Sequence, residues 1–195
     1  MLAQHSTLTK FGMTHPLTRS PQQAGLELLE VDYPEKIKEI GRFRIKGWKM
    51  EKGVDPAFFS KDTWIDSLDQ RANHWVITKN QQIVAASRLS FHDSLHDVPY
   101  ADFMKDEHKR LVENRRIASI NRLVVAPDYR GIGLSGLLDQ VRIDRAVAQK
   151  AEVIIAFPQL VRLEPLKKKG FILIDQLENI PEMPERPFFL MIKNL

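Results

Sequence analysis

Short apolar stretches separated by polar turns run along the whole chain, and their periods predict both strands and helices. Alternating or continuous apolar runs predict strands at 26–31, 74–78, 83–91, 120–125, 153–157, 171–175 and 187–193. The polar residues 79–82 between the second and third runs are typical of the turn of an antiparallel hairpin. The pattern therefore predicts a protein rich in strands, with helices in the intervals.

Helical spacing of apolar residues fills several of those intervals. One helix is predicted after Pro34 and is expected to end near Gly47, and another is predicted over 134–149. A less regular helical patch covers 58–68. A mixed-charge helical stretch at 101–112 lies inside the long connection 92–117, and a further helix ends at Gly170.

The order of these elements predicts the fold class. A hairpin is followed by a strand, a helix and a strand, and then by more strands, which is typical of a mixed α/β sheet. The 195 residues suit one domain, expected at 26–195 behind a flexible arm at 1–25 that has no acidic residue.

Composition narrows the chemistry. The absence of cysteine excludes disulfides, thiolate metal sites and a cysteine nucleophile, and it favours a cytoplasmic location. No apolar run is long enough to cross a membrane. The net charge of +4 is small and dispersed, so neither a nucleic acid nor a membrane is expected as a partner.

Residues 120–138 carry the most specific signal, since a predicted strand runs through a glycine-rich turn into a helix. Backbone N–H groups at a helix N-terminus favour an anion, and glycine lets it approach closely. Gly131, Gly133 and Gly136 satisfy the dinucleotide pattern G-x-G-x-x-G. Five residues separate the strand from the first glycine, however, and no acidic residue ends the next strand, so a dinucleotide loop fits poorly. The lysine of a P-loop is also absent.

The run from Arg130 to Ser135 resembles the Arg/Gln-x-x-Gly-x-Gly/Ala signature of the GCN5-related N-acetyltransferase (GNAT) superfamily. The flanks agree, with the turn at 127–131, the paired leucines at 137–138 and the Lys-Lys-Gly-Phe run at 168–171. The resemblance covers about 118–173. It implies a GNAT-like fold of the α/β (α+β mixed) class, with a central twisted mixed sheet of six to seven strands and about four flanking helices.

The resemblance also implies an acyl-coenzyme A donor, most simply acetyl-CoA, and no metal ion. The pantetheine arm is expected along the fourth strand, the pyrophosphate in the glycine turn, and the thioester sulfur near Gln159. The implied donor-binding residues are Leu123, Val124, Val125, Arg130, Gly131, Ile132, Gly133, Leu134, Ser135 and Gln159. Lys167, Lys168 and Lys169 either reach the outer phosphate or form a solvated helix face.

The expected reaction is N-acetyl transfer by direct attack of a primary amine on the thioester. A tyrosine that protonates the departing thiolate in much of the superfamily is replaced here by Leu166, so no general acid can be assigned. The candidate catalytic residues are His92, which titrates near neutrality, and Ser119 and Asn121 on the fourth strand. The acceptor is expected to be a small-molecule or peptide amine, and a homodimer is left open.

Part of the chain also resembles the acyl-homoserine-lactone synthases and related N-acyl amino acid synthases, which take long acyl chains from acyl carrier protein. The residues that carry this likeness are Asp66, Asp69, Arg88, Phe103 and Arg122. Ser119 stands where that family has a glutamate, which argues against lactone synthesis. A non-catalytic acyl-CoA sensor is the third alternative, because the tyrosine is missing. The three tryptophans, Trp48, Trp64 and Trp75, are expected in the core.

Overall fold

Seven strands form a single sheet in the computed structural model, which describes residues 25–55, 57, 60–179 and 183–195. The strands are β1 (Leu26–Val31), β2 (Asn73–Lys79), β3 (Gln82–His92), β4 (Ile117–Val125), β5 (Val153–Ala156), β6 (Ile172–Leu177) and β7 (Phe188–Asn194). Their order is β1-β2-β3-β4-β5-β7-β6, and only β4 and β5 pair in parallel. The predicted mixed sheet and its strands are confirmed. The predicted arm lies, apart from Gly25, outside the described residues.

Four α-helices accompany the sheet in the described part of the chain: α1 (Ile37–Lys49), α2 (Asp106–Arg110), α3 (Leu134–Ala148) and α4 (Leu163–Lys167). The predicted patch at 58–68 is not α-helical where it is described, and its end forms a 3-10 turn at Ser67–Gln70. Phe58 and Phe59 lie outside the described residues. In the long connection, only α2 and 3-10 turns replace the predicted helix over 101–112.

Helix α1 ends at Lys49, two residues after Gly47, near which its end was predicted. Gly47 lies inside the helix and against β4. A Cβ atom placed on it would lie 2.3 Å from Cγ1 of Val124 in β4, far inside van der Waals contact. The glycine therefore allows the helix to approach the central strand closely.

The two faces of the sheet bury separate apolar clusters. Leu134, Leu138 and Leu163 of the helices α3 and α4 pack with Trp75 on one face. On the other face, α1 contributes Ile45 to a cluster that also takes Val98 and Met104 from the long connection. The predicted core position of Trp75 is confirmed, whereas Trp48 and Trp64 are only half-buried.

The sheet opens between its two parallel strands. Residues 117–120 of β4 pair with 153–156 of β5, and β4 then continues to Val125 without this neighbour. Strand β5 ends at Ala156, and Phe157 and Pro158 follow it. At Pro158 the chain lies beside β7, where Phe189 N–H donates to the carbonyl of Pro158 (3.2 Å). The second half of β4 thus faces an open space.

Candidate active site

The opening between β4 and β5 forms a cavity of about 710 Å³. One end is formed by the turn that leads into α3, with Gly131, Gly133 and Ser135 in its wall. Another part of the wall is aromatic and includes Trp48, Trp64, Tyr100, Phe157 and Phe188. A ligand in this cavity would therefore meet both polar and apolar surface.

The polar end is a cradle of backbone groups. Gly131 (φ 80°) and Gly133 (φ 86°) adopt left-handed conformations, and Gly133 is the N-cap of α3. A Cβ on Gly131 would have no atom within 4 Å, so open space faces the turn. The free N–H groups of a helix N-terminus make such a place favourable for an anion. The geometry of the turn is thus compatible with the anion-binding turn that the sequence predicts.

The open edge of β4 adds backbone groups beside the cradle. Ala126 N–H donates to the carbonyl of Val84 on the β3 side (2.9 Å). Because successive residues of a strand face opposite edges, the backbone groups of Val125 and Leu123 face the cavity. The carbonyl of Val125 accepts from Nε of Arg130 (3.2 Å). An amide-containing ligand could pair with this edge as an added strand does.

Nine of the ten predicted donor-binding residues line the cavity, and their individual roles stay predictions. Ile132 is the tenth, and it is half-buried against the core on the α3 face. Gln159 is held by its neighbours, since Arg186 donates to its Oε1 and its Nε2 donates to the sulfur of Met183. Lys167 pairs with Glu164 (2.7 Å) and does not belong to the cavity wall.

Apart from Arg130, the charged side chains around the cradle were not anticipated from the sequence. Arg130 pairs with Glu51, and Glu51 also pairs with Arg186 (3.3 Å). Arg162 donates to the hydroxyl of Ser135 (3.1 Å) and pairs with the buried carboxylate of Asp139. The two residues in each of these contacts are separated by 23 to 135 positions in the sequence. No local sequence pattern could therefore indicate them.

The predicted catalytic residues are joined by hydrogen bonds. Nδ2 of Asn121 donates to Oγ of Ser119 (3.2 Å) and to Oγ of Ser90 (3.1 Å). The Ser90 hydroxyl also bonds Nε2 of His92 (2.9 Å). Ser119 and Asn121 line the cavity, whereas His92 lies in a separate hollow of about 890 Å³ along the long connection. Burial lowers the pKa of His92 to about 4, so its ring is neutral at pH 7.

A largely buried ionic network, which we call the arginine network, reaches the wall of the cavity at Arg122. Its members are Arg44, Asp66, Asp69, Arg88 and Arg122. Asp69 pairs with Arg44 (2.9 Å) and Arg88 (3.0 Å). Asp66 pairs with Arg88 (2.6 Å) and Arg122 (2.9 Å). The arginines hold the pKa of both carboxyls below their usual range, although burial acts in the opposite direction and is the largest single influence.

Comparison with known proteins shows which family this chain resembles. The sequence matches the family model of the acetyltransferase (GNAT) domain over residues 49–139, a stretch that includes β2, β3, β4 and the cradle. Over these residues, a little under half of the chain, the protein is similar to the GNAT acetyltransferases. No curated protein sequence matches the chain.

Solved structures share the fold of this chain at low sequence identity. FeeM, an N-acyl amino acid synthase from uncultured soil microbes, is 11% identical over 87% of this chain and 90% of its own, with a TM-score of 0.67. A polyamine N-acetyltransferase from Drosophila melanogaster is 13% identical over 87% and 100% of the two chains (TM-score 0.61). A GNAT family acetyltransferase from Elizabethkingia anophelis, solved with acetyl-CoA bound, is 17% identical over 88% and 99% (TM-score 0.56).

Two features are absent from the described part of the chain. Among the described residues, no group of three or more histidine, aspartate or glutamate side chains is placed to hold a metal ion. None of the helices described is both long enough and apolar enough to cross a membrane. Leu166, at the position of the missing tyrosine, is buried and lines the cavity.

Proposed function

We propose that the protein is an acyl-CoA-dependent N-acyltransferase that transfers acetyl from acetyl-CoA to a primary amine. The observation that carries the proposal is that the open edge of β4 and the glycine cradle line one cavity. A pantetheine arm has amide groups that can pair with the strand edge, and its pyrophosphate suits the helix N-terminus. The Elizabethkingia anophelis structure, with acetyl-CoA bound in the same fold, supports this donor.

Different residues bind different parts of the donor in this proposal. Leu123 and Val125 hold the pantetheine amides, and the turn from Gly131 to Ser135 holds the pyrophosphate. Arg130 and Arg162 add positive charge beside the cradle. Arg162 already contacts Ser135, so a bound phosphate would share this hydroxyl or replace it as the partner of the arginine.

The chemistry requires one bond to form and one to break. The amine nitrogen bonds to the thioester carbon, the C–S bond breaks, and coenzyme A leaves as a thiolate. The proton lost by the amine passes to the thiolate or to solvent. Since Leu166 cannot donate a proton, we propose that Ser119 and Asn121 position the amine or a water molecule that carries the proton. Neutral His92 can act on them only through Ser90.

The donor is tested by calorimetric titration with acetyl-CoA. Gly131→Asp places a carboxylate in the cradle and is expected to weaken binding at least 10-fold by charge repulsion. Gly25→Asp is the matched control, because Gly25 also has positive φ (75°) and open space around its Cβ position but lies outside the cavity wall. Equal affinity of both variants and the natural chain, or no binding at high micromolar concentration, would reject the acyl-CoA donor.

Amide hydrogen exchange locates the same ligand. Acetyl-CoA is expected to slow exchange at Leu123 and Val125, which face the cavity. Val124 and Ala126 serve as internal controls, since their N–H groups face β3 and Ala126 is already bonded to Val84. Turnover of acetyl-CoA with any amine separates the enzyme from an acyl-CoA sensor, which would bind the donor without releasing thiol.

A second candidate function is N-acyl amino acid synthesis with long acyl chains from acyl carrier protein. Two observations favour it. Four of the residues that carry that resemblance, Asp66, Asp69, Arg88 and Arg122, meet in the arginine network. The aromatic part of the cavity wall, with Tyr100, Phe157 and Phe188 in mutual contact, offers apolar surface for an acyl chain. Turnover with acetyl-CoA and none with a long-chain acyl carrier protein would reject this candidate.

A further inference from the structure

Arg122 stands out in the cavity wall because of its backbone conformation. The pairing of β3 and β4 shifts by one residue between Ala86 and Arg88, and Arg122 sits in the resulting bulge with φ 54°. A left-handed conformation is unfavourable for arginine, and bulges of this kind redirect side chains. Arg122 of this bulge lines the cavity.

The guanidinium of Arg122 is fixed but only partly satisfied. Its Nη2 pairs with Asp66 (2.9 Å), and its plane lies 3.7 Å from the ring centre of Trp64. Its Nε is buried without a hydrogen-bond partner, and no described residue bonds its Nη1. Nε1 of Trp48, in the same wall, is a second buried donor without a partner. Two donors beside the cavity, Nε of Arg122 and Nε1 of Trp48, are thus buried without a hydrogen-bond partner.

Charges in the arginine network do not cancel. Three arginines face two aspartates, which leaves one positive charge in excess. The neighbouring His74 does not change this balance, because burial lowers its pKa and leaves the ring neutral at pH 7. Burial lowers the pKa of Arg44 to about 10, so it too stays charged. An uncompensated charge next to a cavity favours an anionic group of a ligand.

We propose that Arg122 binds the carboxylate of the acceptor, so that the acceptor is an amine bearing a carboxylate, such as a free amino acid. This inference rests on the acyl-transfer function proposed above and names its second substrate. It also applies if the acyl group comes from a carrier protein.

The arrangement of the cavity wall around Arg122 suits an α-amino acid as the acceptor. Arg122 and Leu123 are consecutive residues of β4, and both line the same cavity as Gln159, near which the thioester sulfur is expected. The α-amine is only two bonds from the carboxylate and can reach the thioester carbon. The rings of Trp48 and Trp64, 5.7 Å apart between centroids, give apolar surface for the side chain. A polyamine, in contrast, would bring positive charge to a positive wall.

The test compares two products that differ only in the carboxylate. N-acetylphenylalanine and N-acetylphenylalaninamide are titrated into the full chain in the presence of CoA. The acid is expected to bind about 10- to 100-fold more tightly, as a charge-assisted hydrogen bond to a buried arginine would give. Arg122→Gln is expected to abolish this preference, and Arg122→Lys to restore part of it.

Arg145→Gln is the matched control. Arg145 also pairs with a carboxylate, that of Glu30 (2.5 Å), and also lies over a tryptophan, Trp75 (5.9 Å), but outside the cavity wall. This variant is expected to keep the preference for the acid. Equal binding of acid and amide, binding of neither, or an unchanged preference in Arg122→Gln would overturn the proposal. Acetyl-CoA titration is read separately, so a failed acceptor inference can be told from a failed donor assignment.

Turnover gives an independent readout. Phenylalanine and leucine are expected to be acetylated with higher kcat/KM than their amides or spermidine, although the amides carry the more readily deprotonated amine. Arg122→Gln is expected to raise KM for the amino acids more than it lowers kcat. A preference for spermidine or for the amides would contradict the assignment of Arg122.

Discussion

Asp69 is the carboxylate on which two buried arginines depend. Its side chain is fully buried, and it pairs with both Arg44 and Arg88 while also accepting from the N–H of Asp66 (2.9 Å). A buried ion pair adds little net stability over apolar packing, but removing one partner leaves a buried charge uncompensated.

We therefore expect Asp69→Asn to lower the free energy of unfolding by about 3 to 5 kcal/mol. Urea denaturation followed by circular dichroism measures the change. Glu164→Gln is the control, because it breaks a solvent-exposed pair with Lys167 and should leave stability nearly unchanged. Equal effects of both substitutions would show that the arginine network contributes no more than a surface pair.

At the scale of residues, the sequence predicted the cradle but not its charged surroundings. Gly131, Gly133 and Ser135 are neighbours in the chain, so a local pattern was enough. Arg162 and Arg186 act through long-range contacts that depend on how α3, β7 and the connections pack. The resemblance did place Asp66, Asp69, Arg88 and Arg122 in order along the chain, but only the fold shows that they share one network.

At the scale of elements, α1 and β4 depend on each other's surface. Gly47 lets the helix lie against Val124, and a substituted Cβ would lie 2.3 Å from the valine methyl group. Gly136 in α3 is the opposite case, since a Cβ there would have no atom within 4 Å. The two glycines therefore separate steric packing from intrinsic helix propensity.

Gly47→Ala is expected to destabilise the protein by about 1 to 3 kcal/mol through overpacking, despite the higher helix propensity of alanine. Gly136→Ala is expected to leave stability unchanged or to raise it by up to about 1 kcal/mol. Thermal unfolding of the two variants compares them directly. A stabilised Gly47→Ala variant would mean that α1 can move away from β4 at no cost.

Strands were predicted better than helices, for a physical reason. Strands such as β2 and β7 are buried along most of their length and read as apolar runs whatever lies around them. The segment near Asp66 also contains apolar residues, but the Asp66 side chain accepts from the N–H of Leu68 and caps a single 3-10 turn instead of a longer helix. That competition depends on tertiary ion pairs and is not visible in the spacing.

At the scale of the whole molecule, a buried histidine links stability to pH. The folded state holds the pKa of His92 at about 4, mainly through burial, whereas the unfolded chain titrates near 6.5. Between these values the unfolded state binds more protons. The contribution of His92 to stability is therefore fully present above pH 6.5 and is lost as the pH falls towards 4.

We expect the free energy of unfolding to fall by up to about 3 kcal/mol between pH 7 and pH 4 on account of this residue. Urea denaturation at a series of pH values measures it. His92→Gln is expected to flatten the profile in this range, with a smaller slope left by His74, whose pKa burial also lowers. His96→Gln changes an exposed ring in the same loop and should keep the slope. If the free energy of unfolding of His92→Gln fell with pH in parallel with that of the natural chain, His92 would not be the group that links stability to pH.

The open edge of β4 has a consequence for the rate of ligand binding. Beyond Ile120 this strand has no pairing with β5, so its backbone groups face the cavity. A preformed site needs little reorganisation before encounter, so association should follow a single phase whose rate rises linearly with ligand concentration. We therefore expect the ligand to pair with a strand edge that is already exposed, so that no conformational step has to create its binding position.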